Sequence, residues 1–364
     1  MMLDLFILWL LSLVSLFISP IKKVESNPNV IVVTLDGLRW QEIFNGADSV
    51  ILNDKTYDGD IEYIKTNFWA TDVNKRRNMI TPFIWNTVAK QGVLIGNRNY
   101  DANFNVANKY QFSYPGYNEI FTGYPDDSVN SNDKIVNKNI NVLEYINSVP
   151  KYKGKVAAFS TWDVFPYILN KKRSGIYVNA DVDTIRFKDP TLSLLNEMQF
   201  VTAKPINLRP DLLTYFTAKE YLKAYHPNLL YISFDETDDF AHSGMYDQYL
   251  KSLHAEDAMI SNLWNTIQSI PQYKNNTTLI ITCDHGRGGT GKSTWKNHGQ
   301  EVKESSQIWF AAMGPKIANA GEIKKPMQLY QKQIAATIAT LMDQDFNEKN
   351  AKHPVGEPLN CILK

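Results

Sequence analysis

Two cysteines in 364 residues are too few for a disulfide framework. Cys283 lies inside an apolar run and reads as a small buried residue, not as a nucleophile. Charge of one sign is also missing. Lys+Arg and Asp+Glu both total 38, so nothing in the balance points to a nucleic-acid polymer or an acidic surface as partner. No apolar run has the length of an ordinary membrane span. Leu3 to Ser19 is almost wholly apolar but short, and Pro20, Lys22 and Lys23 close it. Internal repeats, low-complexity tracts and convincing linkers are absent too, which favours one domain with an insertion over two domains in tandem.

The short apolar segment suits a secretory leader, with Val24-Glu25-Ser26 offering short residues where a signal peptidase reads. Asp4 precedes the run and the lysines follow it, an inverted order that keeps an uncleaved anchor as the alternative. Membrane association follows only in that case. Residues 1–26 are therefore expected to be leader or anchor, and residues 27–364 one domain, secreted or periplasmic. Asn275-Asn276-Thr277-Thr278 is an acceptor sequence for N-glycosylation in a eukaryotic host.

What is present in quantity is apolar and aromatic: 44% hydrophobic residues with 8 Trp and 19 Tyr supply a large core. Buried strands are expected at 30–35, 93–97, 155–160, 228–234, 278–283 and 308–313. Helices are expected from Thr81-Pro82 to Gly92, at 140–148, 190–200, 209–225, 246–269 and 329–342, with a short one closed by Gly123. Residues 38–78 read as loop with short helices, and 170–226 contain a candidate cap insertion. Strands alternating with helices imply an α/β fold, a mostly parallel sheet with helices on both faces.

Three of the apolar strands end in acid: Val30-Ile-Val-Val-Thr-Leu-Asp36-Gly37, Asn228-Leu-Leu-Tyr-Ile-Ser-Phe-Asp235-Glu-Thr-Asp238, and Thr278-Leu-Ile-Ile-Thr-Cys-Asp284-His285. One such ending is an ordinary capped turn. Three of them, at strand ends where open α/β sheets bind ligands, indicate a polyvalent cation site. Asp238 and His242 are four apart, on one face of a helical turn. His298 follows His285 by thirteen positions, and His242, His285 and His298 are half of the six histidines. Mixed imidazole and carboxylate suits zinc better than the all-oxygen shells of magnesium or calcium. Ser113 precedes a short helix whose N–H groups favour an alkoxide or phosphate. On its own it would be an N-cap serine; beside a zinc, which lowers a hydroxyl pKa, it becomes a nucleophile.

In this order the motifs resemble the alkaline phosphatase superfamily, and more closely its nucleotide pyrophosphatase/phosphodiesterase branch. The matching pieces are Leu35-Asp36-Gly37, Ser113-Tyr-Pro-Gly-Tyr-Asn-Glu-Ile-Phe-Thr-Gly-Tyr-Pro125, Asp238-Asp-Phe-Ala-His242, Asp284-His285-Gly286 and Asn297-His298-Gly299. The resemblance implies a three-layer sandwich and a single catalytic domain after the leader. It also implies two zinc ions, with manganese or iron in one site as the alternative, one held by Asp238, His242 and His298, the other by Asp36, Asp284 and His285, with Ser113 also a metal ligand. It further implies in-line attack by the Ser113 alkoxide on phosphorus, a phospho-serine, and hydrolysis by water on the first zinc. An Asn after the helix binds a non-bridging oxygen in this branch; Asn132 fills that place, with Asn130 next. The substrate implied is a small phosphate ester.

The departures are informative. The branch usually has Thr where this chain has Ser113. No basic residue stands around Ser160-Thr-Trp162-Asp163, where phosphomonoesterases of the superfamily place a phosphoryl clamp, although Lys171-Lys-Arg173 lies nearby. Weight therefore shifts from monoesters to diesters. Sulfatases require Cys or Ser in C/S-x-P-x-R, and here Tyr117 holds the Arg position. Gly286-Arg-Gly-Gly-Thr-Gly-Lys292-Ser293 spells a nucleotide phosphate loop, which works only if a helix starts at Lys-Ser. Thr294-Trp-Lys-Asn-His-Gly is a poor helix start, so an NTPase is rejected. A non-catalytic binding protein on the same fold is disfavoured because no ligand position is lost.

Overall fold

The computed structural model describes residues 27–185, 189–204, 207–289 and 293–364. The leader or anchor expected at 1–26, and Thr290-Gly291-Lys292 of the phosphate-loop lookalike, lie outside the described residues. Eleven strands occur among them: β1 Asn29–Leu35, β2 Gly92–Ile95, β3 Ala102–Asn105, β4 Val156–Ser160, β5 Tyr177–Ala180, β6 Leu229–Phe234, β7 Thr277–Thr282, β8 Gln307–Ile308, β9 Phe310–Met313, β10 Gly321–Glu322 and β11 Met327–Tyr330. Eight form one sheet in the order β10-β2-β9-β7-β1-β6-β4-β5; β11, β3 and β8 form a small second one.

Five of the seven pairings in the large sheet are parallel, and the two antiparallel ones both involve β9. The expectation of a mostly parallel sheet therefore holds. The central strands β1, β6 and β7 are buried along their whole length, which is why they read as continuous β-branched runs without alternation. Their register, Val33 beside both Ile232 and Ile281, brings the three carboxyl ends level.

Six helices matter below: α1 Ser113–Thr122, α2 Pro190–Val201, α3 Asp211–Tyr225, α4 Glu236–His242, α5 Tyr246–Ser269 and α6 Ile334–Leu341. The stretch 38–78 carries four short helices, as read. Residues 170–226, expected to hold a cap, contain β5 at the sheet edge, α2, and α3 packed on β4 and β6. Two expectations are corrected. Leu329 and Tyr330 belong to β11, so the last helix starts later, at Ile334. The helix expected from Thr81-Pro82 to Gly92 is present but not regular: Ile84–Val88 is a π-helical turn, continued by α-helix at Ala89–Gln91. There buried Asp257 of α5 accepts the N–H groups of Phe83 at 2.8 Å and Ile84 at 3.0 Å, and these tertiary bonds start the wider turn. Among the described residues no helix is long and apolar enough to cross a membrane.

Candidate metal centre and nucleophile

β7, β1 and β6 are neighbours, so the three acid-tipped strands deliver their side chains to one place. Asp36, Asp284 and His285 form the first group, with one ligand atom from each lying within 4.8 Å of the others. His285 Nε2 is 3.4 Å from Asp36 Oδ1 and 3.5 Å from Asp284 Oδ2. The Nδ1–H of His285 donates to the Gly286 carbonyl at 2.9 Å, which leaves the Nε2 lone pair facing the carboxylates. Gly37 has φ of 57° and donates its N–H to Asp284 Oδ1 at 3.1 Å. A Cβ at Gly37 would collide with Asp238 Oδ1, so glycine is required where β1 turns beneath the site.

Asp238, His242 and His298 form the second group by the same criterion. Asp238 and His242 sit one turn apart on α4, with Nε2 to Oδ2 at 3.1 Å. His298 Nε2 faces His242 Nε2 at 2.9 Å. Its loop is anchored by Trp295, which is fully buried and edge-on to Tyr57, Tyr246 and Tyr249. The Gly288 N–H to the Asn297 carbonyl, 3.0 Å, closes the loop. Asp238 Oδ1 lies between the groups, 3.8 Å from His285 Nε2 and 3.9 Å from His298 Nε2. The first group is sealed, whereas His242 is 46% exposed, so the second group forms the open side.

Ser113 is the first residue of α1, not its N-cap; Phe112 takes the cap position and makes no side-chain cap. The N-cap reading of Ser113 is thereby overturned. Its Oγ instead points at His285 Nε2, 3.3 Å away. The cap comes from a distant loop: Asn132 Oδ1 accepts the Tyr114 N–H at 2.9 Å. Asn132 thus stands beside Ser113, with its amide NH2 left to donate elsewhere. For Asn130 the structure gives no contact with Ser113 or its helix terminus. The loop is fastened to α1 by buried Asn118, whose Oδ1 accepts from Asn137 at 3.0 Å and Asn139 at 3.1 Å. Gly116 allows α1 to ride directly on the main chain after β7, since a Cβ there would meet the Asp284 carbonyl.

Electrostatics show what this arrangement needs. Burial, then Asp238, push Asp36 well above the usual carboxylate range; burial, then Asp36, do the same to Asp284. Burial is the strongest influence on Asp238 and would raise it, but the guanidinium of Arg287 together with His242 and His298 outweighs burial and holds that carboxyl well below the usual range. His298 is pushed down to about 2 by burial and by neighbouring His285, so it remains a neutral imidazole. Asp36 Oδ1, Asp284 Oδ2 and His298 Nδ1 are buried without hydrogen-bond partners. Two orphaned carboxylate oxygens and convergent imidazole lone pairs fit divalent cations, which would satisfy and neutralise them together.

Comparison with known proteins agrees with this geometry. A family model described as type I phosphodiesterase/nucleotide pyrophosphatase matches residues 50–295. The chain belongs to that family. The phosphodiesterase match stops short of Asp36 on one side and His298 on the other, and the fold brings both to the residues it does cover. Wild-type alkaline phosphatase PafA superimposes with a TM-score of 0.60 at 10% identity, over 93% of this chain and 99% of its own. The lipoteichoic acid synthase LtaP from Listeria monocytogenes gives 0.53 at 12%, over 90% of this chain and 76% of its own. A 2-O GAG sulfatase gives 0.52 at 13%, over 92% and 73%. These likenesses establish the alkaline-phosphatase-like fold of this phosphodiesterase-family hydrolase. No curated protein sequence matches the chain.

Some residues escaped the sequence reading. Arg287 is buried, donates to Asp238 and to the Lys296 carbonyl, and ties the second group to its loop. Its signal was the basic residue directly after Asp284-His285-Gly286. Tyr117 donates to Asp36 Oδ2 at 2.7 Å; only its place one turn after Ser113 hinted at this. After Ser293 comes a single 3-10 turn, Thr294–Lys296, and not a helix, so the requirement of a nucleotide phosphate loop is unmet.

Proposed function

We propose that this phosphodiesterase-family chain is an extracytoplasmic, metal-dependent phosphoric ester hydrolase working through a phospho-serine. The observation that carries the reading is the position of Ser113 Oγ, at the N-terminus of α1 and 3.3 Å from a residue of the sealed ligand group, with the second group adjoining. Two divalent cations, zinc by the mixture of imidazole and carboxylate, would lower the pKa of hydroxyls and neutralise phosphoryl oxygens. Asp36, Asp284 and His285 would hold one of them, and Asp238, His242 and His298 the other.

Ser113 Oγ loses its proton to water and forms the bond to phosphorus as the bond to the leaving oxygen breaks. Water then attacks phosphorus from the opposite side, the Oγ–P bond breaks, and Ser113 regains a proton. The positive N-terminal end of α1 stabilises negative charge at Oγ and at the phosphoryl oxygens. The Asn132 amide donates to a non-bridging oxygen. Attack geometry is set by Gly116, which holds α1 against the main chain of Asp284.

Diesters, nucleotide-type ones included, are favoured over monoesters by the treatment of nearby cations. Lys134 reaches the Trp162-Asp163 stretch, but it pairs with Asp163 Oδ2 at 2.5 Å. Arg173 is turned onto Glu144 at 2.8 Å, and Lys171 onto Asp183 at 3.2 Å. A small phosphate ester needs no polymer-sized groove, and secretion fits the apolar leader sequence. The test is a hydrolysis panel of aryl phosphate monoester, diester and sulfate ester on zinc-loaded protein, run beside Ser113→Ala. Diester turnover should lead, and the alanine variant should lose at least about 10³-fold in kcat. A leading sulfate ester, or full activity in the variant, overturns the reading.

A further inference from the structure

Tyr117 stands on α1 one turn beyond Ser113, on the same face of the helix. Its ring is fully buried, packed edge-on to Phe165 at 4.7 Å between centroids. Its hydroxyl donates to Asp36 Oδ2 at 2.7 Å and lies 3.1 Å from Ser233 Oγ. The other carboxylate oxygen, Asp36 Oδ1, has no hydrogen-bond partner and faces His285 Nε2 at 3.4 Å. One side chain therefore links the nucleophile's helix to one oxygen of a ligand in the sealed group.

We infer that Tyr117 is a positioning residue that makes Asp36 a one-oxygen ligand and fixes the nucleophile's helix to the cation site. This role rests on the reading that Asp36, Asp284 and His285 hold a cation. A carboxylate offers two oxygens, and unless one is engaged it can rotate to chelate, to bridge, or to swing away. A hydroxyl bonded to Oδ2 removes that freedom and aims Oδ1 at the cation. A phenol suits the task because it is neutral. A guanidinium there, as in the sulfatase motif, would add a positive charge directly beside the site. Because Ser113 and Tyr117 lie one turn apart on the same helix, a displacement of Asp36 and a displacement of the attacking oxygen are the same movement. This gives position 117 a role in the chemistry that exclusion of the sulfatase motif alone does not supply.

Tyr117→Phe tests this, since it removes one oxygen and keeps the packing. Zinc affinity is measured by competition with a chromophoric chelator, and diesterase activity is measured at limiting and saturating zinc. Tyr231→Phe is the control, because that hydroxyl is equally buried and shares Ser233 with Tyr117, but bonds Thr34 and Ser233 and no ligand directly. The weaker-bound or stronger-bound zinc of the wild type assigned to the Asp36 group should lose roughly 10–100-fold in affinity in Tyr117→Phe. Activity should fall at limiting zinc and recover largely at saturation, while Tyr231→Phe shifts neither. Affinity within twofold of wild type in Tyr117→Phe, or an equal loss in Tyr231→Phe, overturns the inference. Failure of the wild type itself to bind two zinc ions would instead sink the functional reading beneath it.

Discussion

Arg287→Met should destabilise the cation-free protein far more than the zinc-loaded one. Arg287 is buried and bonds both Asp238 oxygen positions, side chain and main chain. Without it, the carboxylate of Asp238 is left buried with no lasting positive neighbour when the site is empty. Breaking a buried pair in this way costs roughly 3–5 kcal/mol. At about 2 °C per kcal/mol for a chain of this size, the melting temperature of chelator-treated protein should drop by roughly 6–10 °C. In loaded protein the cations replace the lost charge, and the penalty should shrink to about 1–2 kcal/mol, mostly the lost bond to the Lys296 carbonyl. The difference, about 2–3 kcal/mol, must then appear as zinc bound roughly 30- to 150-fold more tightly by the variant. The assay is a set of melts of wild type, Arg287→Met and Arg287→Lys, each with chelator and with zinc. Equal losses in both states would refute the view that Arg287 stands in for cation charge.

Three further outcomes are expected. His298→Ala should lower zinc stoichiometry from two to one, read by metal analysis after dialysis, and chelation of wild type should abolish activity that zinc restores; retention of two ions removes His298 from the ligand set. Asp257, raised to about 7 by burial, keeps its proton in the folded chain over a range where the unfolded chain has lost it. Its stabilising contribution is thus full below about pH 4 and disappears as pH rises to about 7, by up to about 1.4 kcal/mol per pH unit. Asp257→Asn should flatten that part of the profile in urea melts, and parallel profiles would contradict the assignment. Gly116→Ala should leave secondary structure intact but lower kcat by roughly 10²-fold through displacement of α1; unchanged kcat would show that the close approach is not needed.

The strands and acids of the site were legible because burial on both faces leaves an unbroken apolar run, and a polar tip at its end stands out. Their adjacency was not. Nothing in the local pattern says that β7, β1 and β6 are neighbours, or that β9 runs against the rest, because pairing order is set by long-range packing. Asp238 with His242 could be read from helical spacing, whereas His298 depended on a loop whose course is fixed by Trp295 and Arg287. The misplaced helix at 329–342 began in residues that satisfy either period, and the edge of the small sheet claimed Met327–Tyr330. The π-helical turn at Ile84–Val88 was unreadable for a similar reason, since its first bonds go to Asp257, far away in sequence. Asn132 was readable only through resemblance; what puts it beside Ser113 is the chain of amides from Asn118.

Gly116 carries a wider consequence. With bare backbone against bare backbone at that point, the location of the attacking oxygen is referenced to the main chain of the sheet and not to any interchangeable side group. On the proposed reading, the loop from Asp126 to Asn139 that flanks Tyr114 can then be rebuilt without re-aiming the reaction. On that reading, selection of the substrate and alignment of the attack would be separately adjustable.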